Sequence, residues 1–328
     1  MPTSKSATPA EVRDSRVETA RAFLALVAFS FRRQRQVRQM AWVSLGLLGI
    51  LAVTVGVITH GPSGWGLENR YSMRFQAQVK EIPQQLDLVQ MLPATGEGSA
   101  LSMMVFAPFR AVLADRKFLD DWAFLNFSRW VAFTMHLGFV MPLFTLAYAS
   151  AGLGAEREGR TLIWLLTRPL PRWAIYLAKF LGGLPWCLAA SGGGFAILCL
   201  AGGSLGLRAL VTYWPAVLAG TLGFAALFHL LGAVFRRPAV VGLVYIFFFE
   251  MLVANLPGSL KQLSLNYYIR SLFYNETAGA IARAKPENVD AYAPTDATTA
   301  WVTLLAASVL LTLLGMWLFG RQEPKDGS

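Results

Sequence analysis

Charge is scarce along this chain. Only 15% of its residues are Asp, Glu, Lys or Arg while 55% are hydrophobic, too little polar surface for a soluble globular domain of 328 residues, so the expectation is a polytopic membrane protein. Cysteine is scarcer still. Cys187 and Cys199 fall in one apolar run, and on a helix they stand roughly 18 Å apart along the axis, beyond disulfide reach. They exclude a disulfide framework and say nothing of the redox compartment.

Histidine is equally sparse. His60, His136 and His229 are scattered over a loop and two different apolar runs, with no His-Glu-x-x-His and no paired carboxylate-histidine spacing, which excludes a metal hydrolase on these residues. One hydrolase pattern does occur, GGSLG at Gly202 to Gly206 around Ser204. Ser204 ends the third apolar run, whereas His229 lies well into the fourth, about 24 Å deeper at helical rise. An intramembrane hydrolase is therefore the weakest alternative, and a Gly-rich turn explains the motif. No phosphate loop of the form G-x-x-x-x-G-K-[ST] is present. The chain is expected to have no catalytic, cofactor or metal residues of its own, and any ATP-driven work calls for ATP and Mg held by a partner.

What the sequence has is length of apolar run. A helix needs about 20 apolar residues to cross the hydrocarbon core, because a backbone amide left unpaired in lipid costs several kcal/mol. Six runs approach that length: Met40 to Thr59, Trp130 to Leu153, Trp173 to Ala201, Tyr213 to Phe235, Ala239 to Leu256 and Ala300 to Phe319. The fifth is the shortest. The expected fold is an all-α polytopic membrane protein with six transmembrane helices, divided into a basic leader at 1–39, a membrane domain at 40–320 and a tail at 321–328. Large outside loops are placed at 60–129 and 257–299, with a cytoplasmic loop at 154–172. The net charge of +10 follows topology and needs no nucleic-acid partner. The leader, the 154–172 loop, the Arg236-Arg237-Pro238 turn and the tail all carry basic residues beside run ends, which places both termini inside. The short connection Gly202 to Thr212 falls outside.

The leader carries its own short apolar stretch, Ala22 to Phe31, followed by RRQRQVR. About ten residues cannot cross a bilayer. With Phe23, Leu24, Val27 and Phe31 near helical spacing, an amphipathic interfacial helix is the expectation, and a helical extension of the first run the alternative. In the loops, the apolar stretch ALSMMVFAPFRAVLA suits a packed cap helix, and LKQLSLNYYIRSLF an interfacial or cap helix. Glu250 is the one acidic residue inside an apolar run. It must face protein or water, as structural polar glue or in a substrate or proton role.

The densest island of charge lies between the second and third runs, in AEREGRTLIWLLTRPLPRW, Ala155 to Trp173. A charged turn from Glu156 to Arg160 precedes TLIWLL, and Pro169 and Pro171 end it, so a short amphipathic helix is implied, with Leu162, Leu165 and Leu166 on one face. These residues carry a family resemblance. An acidic cluster, Gly159, Thr161, Leu162, the Leu165-Leu166 pair, Pro169, Arg172 and then Lys179-Phe180-Leu181-Gly182 resemble the signature of ABC-2 type ABC transporter permeases. Arg160 departs from the usual Gly-Thr-Leu form. Glu250 followed by Asn255-Leu256-Pro257 is similar to that family's fifth span. The resemblance implies a transmembrane subunit, not itself an enzyme, in the plasma membrane and for a bacterium the cell inner membrane. It implies a coupling helix, formed here by Glu156, Glu158, Gly159, Thr161, Leu162, Leu165, Leu166, Pro169 and Arg172, resting on a separate ABC ATP-binding subunit. Lys179 is expected to snorkel to the inner interface. A second permease copy or a related permease completes the assembly, and export of a substrate is implied. The alternative from another class is a non-transporting anchor or mechanotransmitter using the same ATPase docking.

Overall fold

The computed structural model describes residues 9–35, 38–60, 121, 123–158, 170–255, 259–284 and 294–321. Among the described residues there are helices and short turns and no strands. The α-helices are α1 (Pro9–Arg35), α2 (Arg38–His60), α3 (Met141–Glu158), α4 (Arg172–Ala201), α5 (Gly203–Val234), α6 (Pro238–Tyr245), α7 (Leu265–Ala284) and α8 (Ala297–Arg321). Two π-helical segments interrupt the α pattern. Ser128–Val140 leads directly into α3, and Ile246–Leu252 continues α6.

Five helical stretches are long and apolar enough to cross a membrane: Ala41–His60, Ala123–Gly154, Arg172–Ala201, Gly203–Val234 and Ala297–Arg321. The fifth of the six expected runs is different. Pro238–Leu252 is a shorter apolar helix, and short 3-10 turns at Val253–Asn255 and Ser259–Leu263 follow it. Other boundaries also shift from the sequence expectation. The second run is helical from Ala123, and its helix continues through Glu158 where a charged turn was expected. The residues Gly203 to Thr212, expected as part of an outside connection, are the first three turns of α5.

The α4–α5 hairpin is correspondingly tight. The Gly202 amide donates to Cys199 O at 3.0 Å, and Gly203 has φ of +62°, a left-handed conformation that glycine adopts without a steric cost. A Cβ on Gly206 would lie 1.8 Å from Cys199 O. GGSLG is thus a backbone hairpin. It is no nucleophile elbow either, because Ser204 and His229 share one helix and stand about 37 Å apart along its axis at helical rise.

α5 is the centre of the bundle. It packs against α3, α4, α6, α7 and α8, and 72% of its most apolar stretch is buried against 11% for α2. Phe224 and Phe228 on α5 stack at 5.7 Å. The order of contacts fixes the direction of α7. A Cβ at Gly223 would touch Leu265, one at Gly220 would lie 2.5 Å from Ile269 Cδ1, and Tyr213 stacks on Phe273 at 4.2 Å. Following α7 from Leu265 to Phe273 therefore means following α5 backwards to the hairpin end. Phe228 meets Tyr245 edge-on at 6.3 Å, so α6 travels the same way. The fifth crossing of the bundle is made in two pieces, Pro238–Leu252 and then α7. The segment expected as an interfacial or cap helix is instead packed into the bundle, with Tyr267, Ile269, Leu272 and Phe273 buried. Alternating apolar and polar letters hid this, because α5 and α8 cover one face of the segment.

α1 lies along α4. A Cβ on Gly182 would fall 2.6 Å from Ser30 Cβ and 2.9 Å from Val27 O, and Trp186 Nε1 donates to Phe31 O at 3.1 Å. Leu26 and Ser30 are buried, while Leu24, Phe29 and Phe31 are exposed.

The backbone contact at Gly206 cannot yield as a side chain would. Gly206→Ala is expected to lower the melting temperature in detergent, by an overpacking cost of about 1–3 kcal/mol or more. Gly193→Ala, where nothing lies within 4 Å, leaves it unchanged or raises it.

Candidate functional site

Glu250 sits in the π-helical segment Ile246–Leu252 and is 1% exposed. In an apolar bundle such a carboxylate needs several donors, and it has four. Tyr245 Oη donates to Oε1 at 2.7 Å, Ser264 Oγ to Oε2 at 2.5 Å, the Leu265 amide to Oε1 at 3.2 Å and the Asn266 amide to Oε2 at 3.0 Å. The last three belong to the N-terminus of α7, whose first amides have no intrahelical acceptor. Glu250 is thus the cap of α7, its charge placed at the positive end of the helix dipole. The carboxylate bridges the two pieces of the fifth crossing where the chain between them turns. The Asn266 side chain is 0% exposed, and neither of its amide atoms has a hydrogen-bond partner among the described residues. Tyr245 is held in turn by Phe249, stacked at 5.2 Å.

The other candidate region is the end of the bundle from which residues 159–169 depart. Gly159, Thr161, Leu162, Leu165, Leu166 and Pro169 lie outside the described residues. Glu156 and Glu158 end the backbone of α3. Leu170 is buried, and α4 starts at Arg172 with Pro171 as N-cap in extended conformation. Leu170 belongs to an apolar cluster with Leu26 of α1, Leu153 of α3, Ile175 and Tyr176 of α4, and Phe319 of α8. With Ala233 of α5 also in the cluster, the root of the connection shares an apolar core with five helices. Lys179, expected to snorkel to the inner interface, is 3% exposed. α1 covers it, and its Nζ lies 5.9 Å from the Phe29 ring centroid.

The site residues fall at separate places. Glu250 caps α7 at the broken crossing, and Arg172 and Lys179 stand at the root of the connection. No group of three or more His, Cys, Asp or Glu side chains that could hold a metal occurs among the described residues.

The model of one family, described as ABC-2 family transporter protein, matches residues 13–323. The chain belongs to that family. A search of curated proteins returned no match. As an ABC-2 family protein with several membrane-length apolar helices, it is a membrane permease of the ABC transporter type. In this ABC-2 chain, sequence reasoning missed the donors to Glu250. Ser264 offered the one available signal, a serine immediately before a helix as an N-cap candidate.

Glu250→Gln keeps the shape but brings an amide NH2 against at least one of the donors, at a cost of about 1–3 kcal/mol for a buried polar group left unpaired. The expected outcome is faster amide hydrogen exchange over Leu265 to Phe273 in an assembled protein, with transport impaired. Exchange equal to the wild type would remove Glu250 from the α7 cap.

Proposed function

We propose that this chain is the transmembrane subunit of an ABC exporter, driven by ATP hydrolysis in a separate ATP-binding subunit that grips the 154–172 loop. The observation that carries the reading is the family match over residues 13–323. The placement of the 159–169 connection between two long helices, α3 and α4, supports it. In this reading both termini and the connection face the cytoplasm, as basic residues beside the run ends favour. The membrane is the plasma membrane, in a bacterium the inner one. Six crossings result when Pro238–Leu252 and α7 together serve as the fifth. The leader at 1–39 lies on the inner face, the loop at 60–129 begins and ends outside, and of the expected 257–299 loop only the stretch between α7 and α8 is left outside.

Glu156, Glu158, Gly159, Thr161, Leu162, Leu165, Leu166, Pro169 and Arg172 form the coupling surface in this reading. ATP-driven closure of two ATPase subunits displaces two such connections, one from each half of a homo- or heterodimer. ATP acts by binding one arrangement of the spans better than the other, which is the only way a ligand shifts such an equilibrium. Glu250 holds the broken crossing together during that shift.

Replacing Leu165 and Leu166 with Asp is expected to abolish co-purification of the ATP-binding subunit while the permease still inserts and folds; unchanged co-purification overturns the coupling assignment. The long outside loop at 60–129 favours one further reading, a mechanotransmitter that pulls on an outside partner. ATPase activity in liposomes stimulated by a small-molecule substrate separates the two, since a mechanotransmitter gives none.

A further inference from the structure

Between α3, α4 and α5 lies a polar junction that the capping role of Glu250 does not use. His229 on α5 is 2% exposed. Its Nδ1 lies 3.3 Å from Ala149 O on α3, and its Nε2 lies 3.3 Å from Tyr176 O on α4. One imidazole therefore spans the backbones of both helices that flank the 159–169 connection. The neutral ring donates to one carbonyl at a time, and the doubly protonated ring donates to both. The ring is boxed in as well, with Tyr176 at 4.7 Å and Phe180 at 5.5 Å between centroids. Gly152 faces the ring, and a Cβ there would lie in van der Waals contact at 3.4 Å from His229 Cε1. Three residues on, a Cβ at Gly232 would come within 3.1 Å of Ser150 O, so α3 and α5 approach closely at this level.

α1 closes the junction from the side. Gln34 Nε2 donates to Tyr148 O at 2.6 Å, one residue before the carbonyl that faces His229. Gln34, Lys179, Cys187, Ala225 and His229 border a small cavity, with room for about one water molecule. Gln34 Oε1 is buried with no protein partner, the kind of acceptor that a buried water satisfies.

The distances to the connection are short. Tyr176 lies one helical turn after Arg172, and Ala149 lies about 13 Å along the axis from Glu158, the last described residue of α3. We propose that His229 is a positioning residue that locks the roots of α3 and α4 to α5, so that displacement of the 159–169 connection is passed to α5 rather than absorbed by sliding between helices. This rests on the reading of that connection as the ATPase-docking element. Packed aromatic and aliphatic surfaces alone allow helices to slide, whereas a ring wedged between two main-chain carbonyls fixes their register to α5.

The test uses the permease assembled with its ATP-binding subunit in nanodiscs, with amide hydrogen exchange measured with and without a non-hydrolysable ATP analogue. In the wild type the analogue changes exchange both at the roots of α3 and α4 and in α5 around Tyr213 to Gly223. In His229→Leu the complex still co-purifies and the change at the roots persists, but the change in α5 falls about five-fold or more, the scale of a typical coupling free energy. His229→Gln, which keeps one donor, restores part of it and serves where the Leu variant does not fold. Phe228→Leu, one residue away and also fully buried, controls for lost packing and keeps the α5 response. An α5 response in His229→Leu equal to the wild type overturns the proposal, as does a wild-type complex whose α5 ignores nucleotide. Failure of the docking reading shows elsewhere, in co-purification that survives Asp at Leu165 and Leu166.

Discussion

A helix that begins inside an apolar bundle presents amide N–H groups with no acceptor above them, and no water is at hand to supply one. That constraint governs the fifth crossing. The chain breaks between Leu252 and Leu265, where α7 must start against α5, and the bare first turn is capped by Glu250, which accepts from the Leu265 and Asn266 amides and from the Ser264 hydroxyl. Charge and helix end solve each other's problem. A buried carboxylate requires several donors, and an uncapped N-terminus supplies them in fixed geometry with a favourable dipole. Without the pair, the fifth run would have to be a longer apolar helix, and α7 could not fill the hairpin half of the bundle.

Small residues on α5 make the arrangement possible. Gly220 and Gly223 admit Ile269 and Leu265 of α7, and Thr221 shares a hydrogen bond with Ser191 of α4 at 2.8 Å on another face. At the hairpin end Tyr213 donates to Ser128 at 2.9 Å and stacks on Phe273, which ties α5 to the π-helical segment before α3 and to α7 together. Helices in lipid gain nothing from hiding apolar surface from one another, so close backbone approach and side-chain hydrogen bonds carry the association. α5 has both along its length.

The long runs were legible because hydrocarbon thickness sets a length that any sequence must meet, and five of them appear as membrane-length helices. Glu250 was legible as a buried charge for the same reason. Three of its four donors were not, because they lie 14 to 16 residues further along, across a break that has no period; the fourth, Tyr245, lies five residues before it. The start of α5 was misread for an electrostatic reason. Arg208 looks like a loop residue, yet it pairs with the buried Asp121 at 2.7 Å and lies 4.1 Å from the Phe124 ring centroid, so its charge is accommodated on a helix. The burial of Lys179 was hidden for a steric one, since hydropathy cannot show that α1 covers it. The π-helical winding of Ser128–Val140 left no trace in composition or spacing. The family resemblance rested on the 154–172 loop, Lys179 to Gly182 and Glu250 to Pro257, and the family match covers residues 13–323.

The two polar junctions share α5. Gly223 meets the start of α7 next to the Glu250 cap, and His229 meets α3 and α4; the two positions are about 9 Å apart along one unbroken helix. A helix resists compression and bending over so short a distance far more than the side-chain contacts around it resist shear. In the proposed role of His229, a shift imposed there is carried by α5 to Gly223, beside a junction whose hydrogen bonds tolerate little change in length or angle. The α7 cap must either move with α5 or lose donors. That choice between two discrete outcomes, set by hydrogen-bond geometry at Glu250, is what would turn a small displacement at one end of the permease into a change of arrangement in the other half.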